Sequence, residues 1–241
     1  MATKVFTDGR LYAGAYNLSG QTNQVTMEIE ADELDVSSIQ DAWDATVLGR
    51  KRATLAVNGW WASGAGLPDN LFTLLGTSGV VCTVLPSGTD GEIGYAVQAL
   101  PVKYSPGPGE AGGVIPFSVE AKGNVGRAIK GTVLHDDSAA VTTTGNGTGR
   151  QLGAVAAGQR VYASLHVFDV SGGAPTLDVT LESDTAGFAS PSTRITFAQA
   201  TAATSEWKEV AGAITDDWWR VVHTVGGATP SFKYVILVAI L

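Results

Sequence analysis

Residues able to do chemistry are few in this chain, and they do not cluster. Three histidines stand apart, His135, His166 and His223. His135 adjoins Asp136 and Asp137, a trio of metal-binding types. A divalent ion needs several ligands converging, and no second spacing supplies them. His166 and His223 fall within strand-like runs and read as surface or interface polar groups. A His–Asp arrangement with Asp178 would require them to be cross-strand neighbours. The single cysteine, Cys82, excludes an internal disulfide and a cysteine-only metal site. It lies in the apolar run VVCTVL and reads as a buried, inert thiol. There is no G-x-S-x-G elbow, and Cys82 has no evident base. GNGTGR at 145–150 lacks the Lys-Ser/Thr and the strand-to-helix setting of a phosphate loop. Asp216 and Asp217 read as solvated turn residues, since a glycosidase pair usually comes from distant segments. The expectation is a protein with no catalytic set, no cofactor and no metal.

Two tryptophan pairs and one basic run suit binding better. Neighbouring residues on a strand face opposite sides, so one member of Trp60–Trp61 and one of Trp218–Trp219 is expected in a core. The other is free to stack on a sugar ring or to anchor a subunit contact. Both readings stay open for Trp218 and Trp219. Arg50, Lys51 and Arg52 end a long polar stretch. In an acidic chain they fit an acidic partner face better than DNA.

The elements that must carry these residues are strands. Gln24 to Ala31 alternates Val25, Met27, Ile29 and Ala31 against Gln24, Thr26, Glu28 and Glu30. Thr176 to Glu182 repeats the pattern, as do Ile115 to Ala121 and Val161 to Val167. The C-terminal YVILVAIL reads as a buried strand. One short helix is expected at Pro68 to Leu75, with leucines at helical spacing and Gly76 to end it. Turns are expected at Lys122–Gly126, Ser171–Pro175 and Gly226–Pro230. The fold class is therefore all-β with one short helix. The expected division is a β domain over 1–134, a polar linker over 135–149 and a C-terminal β-sandwich over 150–241.

Asp32 to Gly49 is expected to be a long loop between paired strands, an uncommon excursion that usually has a job. It is either a hairpin tip in solvent or a segment that orders against another subunit. Ile39, Trp43, Val47 and Leu48 are apolar residues that a solvated tip does not need. With Leu34, Val36 and the basic Arg50, Lys51 and Arg52, they form the expected inter-subunit contact.

Composition points the same way. Of 241 residues, 44% are hydrophobic and only 16% charged, which suits a subunit whose faces are covered by neighbours. The formal net charge of -8 opposes any grip on DNA phosphates. The first residues lack the apolar core of a signal peptide. No stretch reaches the roughly 20 apolar residues that span a bilayer. Synthesis in a bacterial host cytoplasm, with no membrane partner, is the expectation.

Residues 18–61, LSGQTNQVTMEIEADELDVSSIQDAWDATVLGRKRATLAVNGWW, followed by a helix and by GGVIPFSVEAKGNVGRA at 112–128, resemble the tail tube proteins of long-tailed bacteriophages. The likeness covers about residues 1–134 and lies in the order of elements, including LDVSSI at Leu34–Ile39 at the start of the long loop. It implies a virion subunit that closes into rings by sheet-edge pairing. The rings would stack into a tube with an acidic bore, through which DNA passes without specific binding. The long loop would bridge stacked rings, and other tail proteins would be partners. Residues 150–241 depart from the single-domain pattern: they are either an external decoration or a second tube-like domain. A carbohydrate- or receptor-binding module on a virion is the alternative.

Overall fold

The computed structural model describes residues 8–38, 43–61, 67–107, 109–110 and 112–241. In chain order the elements are β1 (Arg10–Ala13), β2 (Tyr16–Asn17), β3 (Thr22–Asp35), β4 (Thr46–Trp60), α1 (Leu67–Leu74), β5 (Val80–Leu85), β6 (Ile93–Pro106) and β7 (Pro116–His135). There follow β8 (Gly145–Asn146), β9 (Arg150–Gln151), β10 (Arg160–Asp184), β11 (Ser192–Thr196), β12 (Thr204–Ala211) and β13 (Trp218–Ile240). The all-β class with one short helix holds. The chain forms two compact units, a larger one of residues 1–20, 81–96 and 129–241, and a smaller one of 21–80 and 97–128. The polar stretch 135–149 lies in the larger unit and carries β8.

The larger unit is organised by two long strands. β10 and β13 pair antiparallel from Val161↔Ile240 to Asp184↔Trp218. The sequence predicts turns at Ser171–Pro175 and Gly226–Pro230. The structure instead runs both strands through, and the two glycine-rich stretches face each other as bulges. Ser171 opposes Ser231, Gly173 opposes Ala228, and the register steps at each. Backbone sterics explain why these sequences bend rather than turn. Gly172 and Gly227 adopt φ of 125° and 109°, open to glycine alone. A Cβ on Gly227 would stand 2.6 Å from the Ala174 carbonyl oxygen. Bulges of this kind redirect a strand without ending it.

The bend folds the strand pair over a shared core. Val161, Ala163, Leu165 and Val167 precede it on β10, while Leu177, Val179 and Leu181 follow it, yet all enter one apolar cluster. On β13 the cluster takes Trp219 and Val221 from one side of the bend and Phe232, Tyr234, Ile236 and Val238 from the other. This is a β-sandwich whose two layers share the same two strands. Beyond the bend, Val235, Leu237 and Ala239 face a second cluster with Tyr12, Leu85 and Phe168. Both faces of β13 are covered there, so YVILVAI is apolar without alternation. β12 flanks β10 along Arg160–Val167, and β11 flanks it along Thr180–Ser183. β7 joins β13 through Leu237↔Val133 and Val238↔Thr132.

In the smaller unit, β3 and β4 form a hairpin from Thr22↔Gly59 to Asp35↔Thr46. β7 joins β4 from Thr54↔Lys122 to Trp60↔Pro116. Ala53, Leu55 and Val57 alternate inward on β4, and Phe117, Val119 and Ala121 do so on β7. Leu71 of α1 is also buried, and Gly76 follows the helix at φ 80° as its stop. The expected turn at Lys122–Gly126 does not form. β7 continues to His135, with Gly126 absorbing a φ of 67° within the strand.

Candidate functional site

Within the expected loop at Asp32–Gly49, residues 32–35 and 46–49 are strand. β3 and β4 stay paired to Asp35↔Thr46, whereas β7 accompanies β4 only from Thr54 onward. The distal hairpin is therefore a two-stranded arm, about 25 Å long at roughly 3.3 Å per residue. Its sequence hides this because neither face of the arm is buried, so no period-2 pattern is required.

Alanine-to-lysine pairing at Ala31↔Lys51 gives way to Glu33↔Leu48, so Asp32 opposes both Gly49 and Arg50. This bulge needs its glycine: a Cβ on Gly49 would stand 2.8 Å from the Asp32 Cβ. The extra residue in β4 moves Leu48 onto the face that carries Ile29, and Val47 onto the other face with Leu34. Both faces of the arm thereby gain apolar side chains. Near the tip, the Val36 amide donates to the Ala45 carbonyl and the Ala45 amide donates to Ser37 Oγ, each at 2.8 Å. The Ser37 hydroxyl and amide bond to Asp35 and hold its carboxyl below the usual carboxylate range.

Leu34, Val36, Trp43, Val47 and Leu48 are all exposed, Trp43 at 88% and Leu48 at 77%. Ile39 lies outside the described residues. Arg50, Lys51 and Arg52 are exposed as well. Arg52 forms an ion pair with Asp32 within the same arm, which leaves Arg50 and Lys51 as the more available cations. An exposed pair of this kind contributes little stability.

Exposed apolar side chains are concentrated in one unit. Among the described residues sixteen large ones are exposed. Only Ile93 and Leu241 belong to the larger unit, leaving fourteen on the smaller one. They include Phe72 of α1, Val102 of β6, Val125 of β7, and both Trp60 and Trp61. The sequence predicts one buried member in the pair Trp60–Trp61, but Trp61 follows the end of β4 and both are exposed. The residue pattern marks only the part of this surface on the arm, because elsewhere exposure depends on what packs over each strand.

The remaining residues with chemical potential have structural work. Trp219 is fully buried and its indole N–H donates to the Gly153 carbonyl at 3.0 Å, while Trp218 is half-buried. His166 and His223 are not surface groups: both are buried. His166 Nδ1 lies 2.8 Å from the Gly14 carbonyl, an acceptor, so that nitrogen carries the proton. Its Nε2 then accepts from Thr83 Oγ1 at 2.8 Å. Burial pushes the His166 pKa down to about 4. His223 Nδ1 meets the Tyr234 hydroxyl at 2.9 Å, and His135 stacks on the Tyr234 ring at 4.0 Å. His223 pairs in register with Val179, one place from Asp178, and Asp178 accepts from Gln199. Asp137 accepts from Asn17, and Asp136 accepts from the Asp90 amide. Asp216 accepts from Ser183 and Arg194, and Asp217 from Gln151. Cys82 is buried with its pKa pushed up to about 12, so it stays a thiol. Among the described residues, no three His, Cys, Asp or Glu side chains converge as metal ligands. No helix among them is long and apolar enough to cross a membrane.

No family model matches this sequence, and no curated protein matches it. Solved structures that it is similar to include parts of phage-like tails and injection systems. A chain from the virion of a native gene transfer agent particle shares 13% identity, covering 53% of this chain and 98% of that one at a TM-score of 0.41. A chain from the sheath/tube terminator of an extracellular contractile injection system shares 11%, covering 54% and 97% at 0.45. The Dit protein of SPP1, described as a hub of the adsorption apparatus in phages infecting Gram-positive hosts, shares 11%, covering 99% and 100% at 0.36. Likenesses this slight leave function to be argued from the chain's own surface.

Proposed function

We propose that this chain is a structural, non-enzymatic virion protein, a subunit that assembles with copies of itself into the stacked rings of a phage tail tube. The observation that carries the reading is the apolar surface of the smaller unit. Among the described residues fourteen large apolar side chains stand exposed there, several on a paired arm that runs beyond β7's pairing with β4. Exposed apolar side chains gathered on one element, as on the arm, are typical of interaction sites. A neighbouring subunit that covers Trp43 and Leu48 would remove that area from water at about 25 cal/mol per Å². The arm would bridge one ring to the next, and the long outer edge of β3 would pair with a neighbour inside a ring.

The acidic balance of the chain, -8, supports a bore that conducts DNA without holding it. Other tail proteins would cap such a tube, and the assembled virion tail would be its location. The test is electron microscopy with light scattering on purified protein. Rings or stacked tubes support the reading. A chain that stays monomeric at high concentration, with or without tail extracts, refutes it.

A further inference from the structure

We propose that the hollow beside Trp60, in the smaller unit, is a binding subsite for a neutral saccharide. Its geometry follows from strand register. Gln24 on β3 opposes Asn58 on β4, and Asn58 opposes Ser118 on β7. Residues directly opposite share a face, so an amide, an amide and a hydroxyl stand in one row. One rung along the same face, Trp60 stands opposite Pro116 and is 45% exposed. Gly59 lies between the rungs. Gly59 pairs with Phe117, so a Cβ there would point to the opposite face, 2.7 Å from the Phe117 ring, and on the Trp60 side only backbone separates the rungs. With Ser105 these groups line a hollow of about 400 Å³, within the usual span of small-molecule sites.

The chemistry of the lining selects the ligand class. No charged side chain is among the lining residues. A phosphate or carboxylate ligand would find no cation, and a basic ligand no anion. Asn58 Nδ2 donates to Gln24 Oε1 at 3.2 Å, which fixes both amides. That bond leaves the Gln24 NH₂ to donate and the Asn58 carbonyl oxygen to accept. Hydroxyls that both donate and accept fit such a row. A pyranose carries them on its rim and offers a C–H face to an indole, which is flat, apolar and rigid. Trp218 and Trp219 lack this setting, one being half-buried and the other fully so.

The test is a glycan array of neutral and acidic oligosaccharides probed with the labelled full chain. Tryptophan-fluorescence titration of the best binder follows. The expected result is binding of neutral glycans, weakened at least tenfold by Trp60→Ala and by Asn58→Ala, and unchanged by Trp218→Ala. If Trp60→Ala fails to fold, Gln24→Ala, an exposed side chain, must show the same weakening. A silent array overturns the proposal, and so does glycan binding that none of the three variants weakens. Loss of self-association in Trp60→Ala with no glycan bound by the wild type also overturns it, and assigns the hollow to a subunit contact.

Discussion

Leu34 and Val47 face each other directly across the β3–β4 hairpin, and both remain exposed. A cross-strand apolar pair stabilises its own hairpin by roughly 0.2–1 kcal/mol. The rest of its apolar area is left for something outside the chain. Trp43 is exposed as well, and Leu48 is exposed on the arm's other face.

Replacing Trp43 and Leu48 together by serine is therefore expected to abolish or sharply weaken self-assembly while leaving the fold intact. Light scattering should report the smaller species. The urea midpoint should correspond to a change within about 0.5 kcal/mol, as for surface substitutions. A large loss of stability would place these side chains in an internal core instead.

Charge reversal at Arg50 and Lys51 tests the partner's sign. With both replaced by glutamate, assembly should weaken, and the effect should shrink as salt is raised through the screening range. Binding to duplex DNA should be absent in wild type and variant alike at physiological salt.

Acid should loosen the larger unit. The folded state holds His166 neutral with a pKa of about 4, below the model-peptide value of about 6.5. Its contribution is whole above pH 6.5 and is lost as pH falls from there through 4, because the unfolded chain binds the proton first. The cost is roughly 2–4 kcal/mol, at 1.36 kcal/mol per unit. His135, also lowered to about 4 by burial and by His223, acts in the same direction. Urea melts at stepped pH should show this fall, and His166→Gln should flatten part of it. A flat profile between pH 7 and 4 would contradict the buried, neutral His166.

The double bulge is expected to tolerate no side chain. Gly227→Val forces a Cβ to within 2.6 Å of the Ala174 carbonyl oxygen, at a φ of 109°. A loss of about 3 kcal/mol or more is expected from strain and clash together, read as a drop in thermal midpoint. Gly153, at φ 97° but with open space around it, should cost less.

Truncating Trp219 to alanine should cost about 3–5 kcal/mol, the range for a buried aromatic, and Trp218→Ala far less. Calorimetry on the two variants separates the residues that the sequence can only pair.

Much of this fold was legible in the residue pattern. Leu177, Val179 and Leu181 alternate because one face of β10 meets a core and the other does not. Trp219 and Trp218 split between core and surface for the same reason. The pattern misled where local signals were outvoted by pairing. Glycine and proline at 171–175 and 226–230 read as turns, but each segment has the other as its partner, and that pairing is invisible along the chain. Asp32–Gly49 read as a loop because its strands bury nothing. Among the candidate contact residues, Trp43 and Leu48 were legible as apolar side chains in a polar stretch. The depth of His166 was not, since a histidine flanked by Leu165 and Val167 fits either face of a strand.

The shared course of β10 and β13 also governs how the larger unit can come apart. Each layer borrows its central rungs from the same two strands, so fraying one layer strips backbone partners from the other. Amide exchange at Leu165 and at Val179, on opposite sides of the bend, should therefore proceed through one common opening event with a single free energy. A chain built on that spine is expected to offer no half-melted form to a protease or an aggregating neighbour.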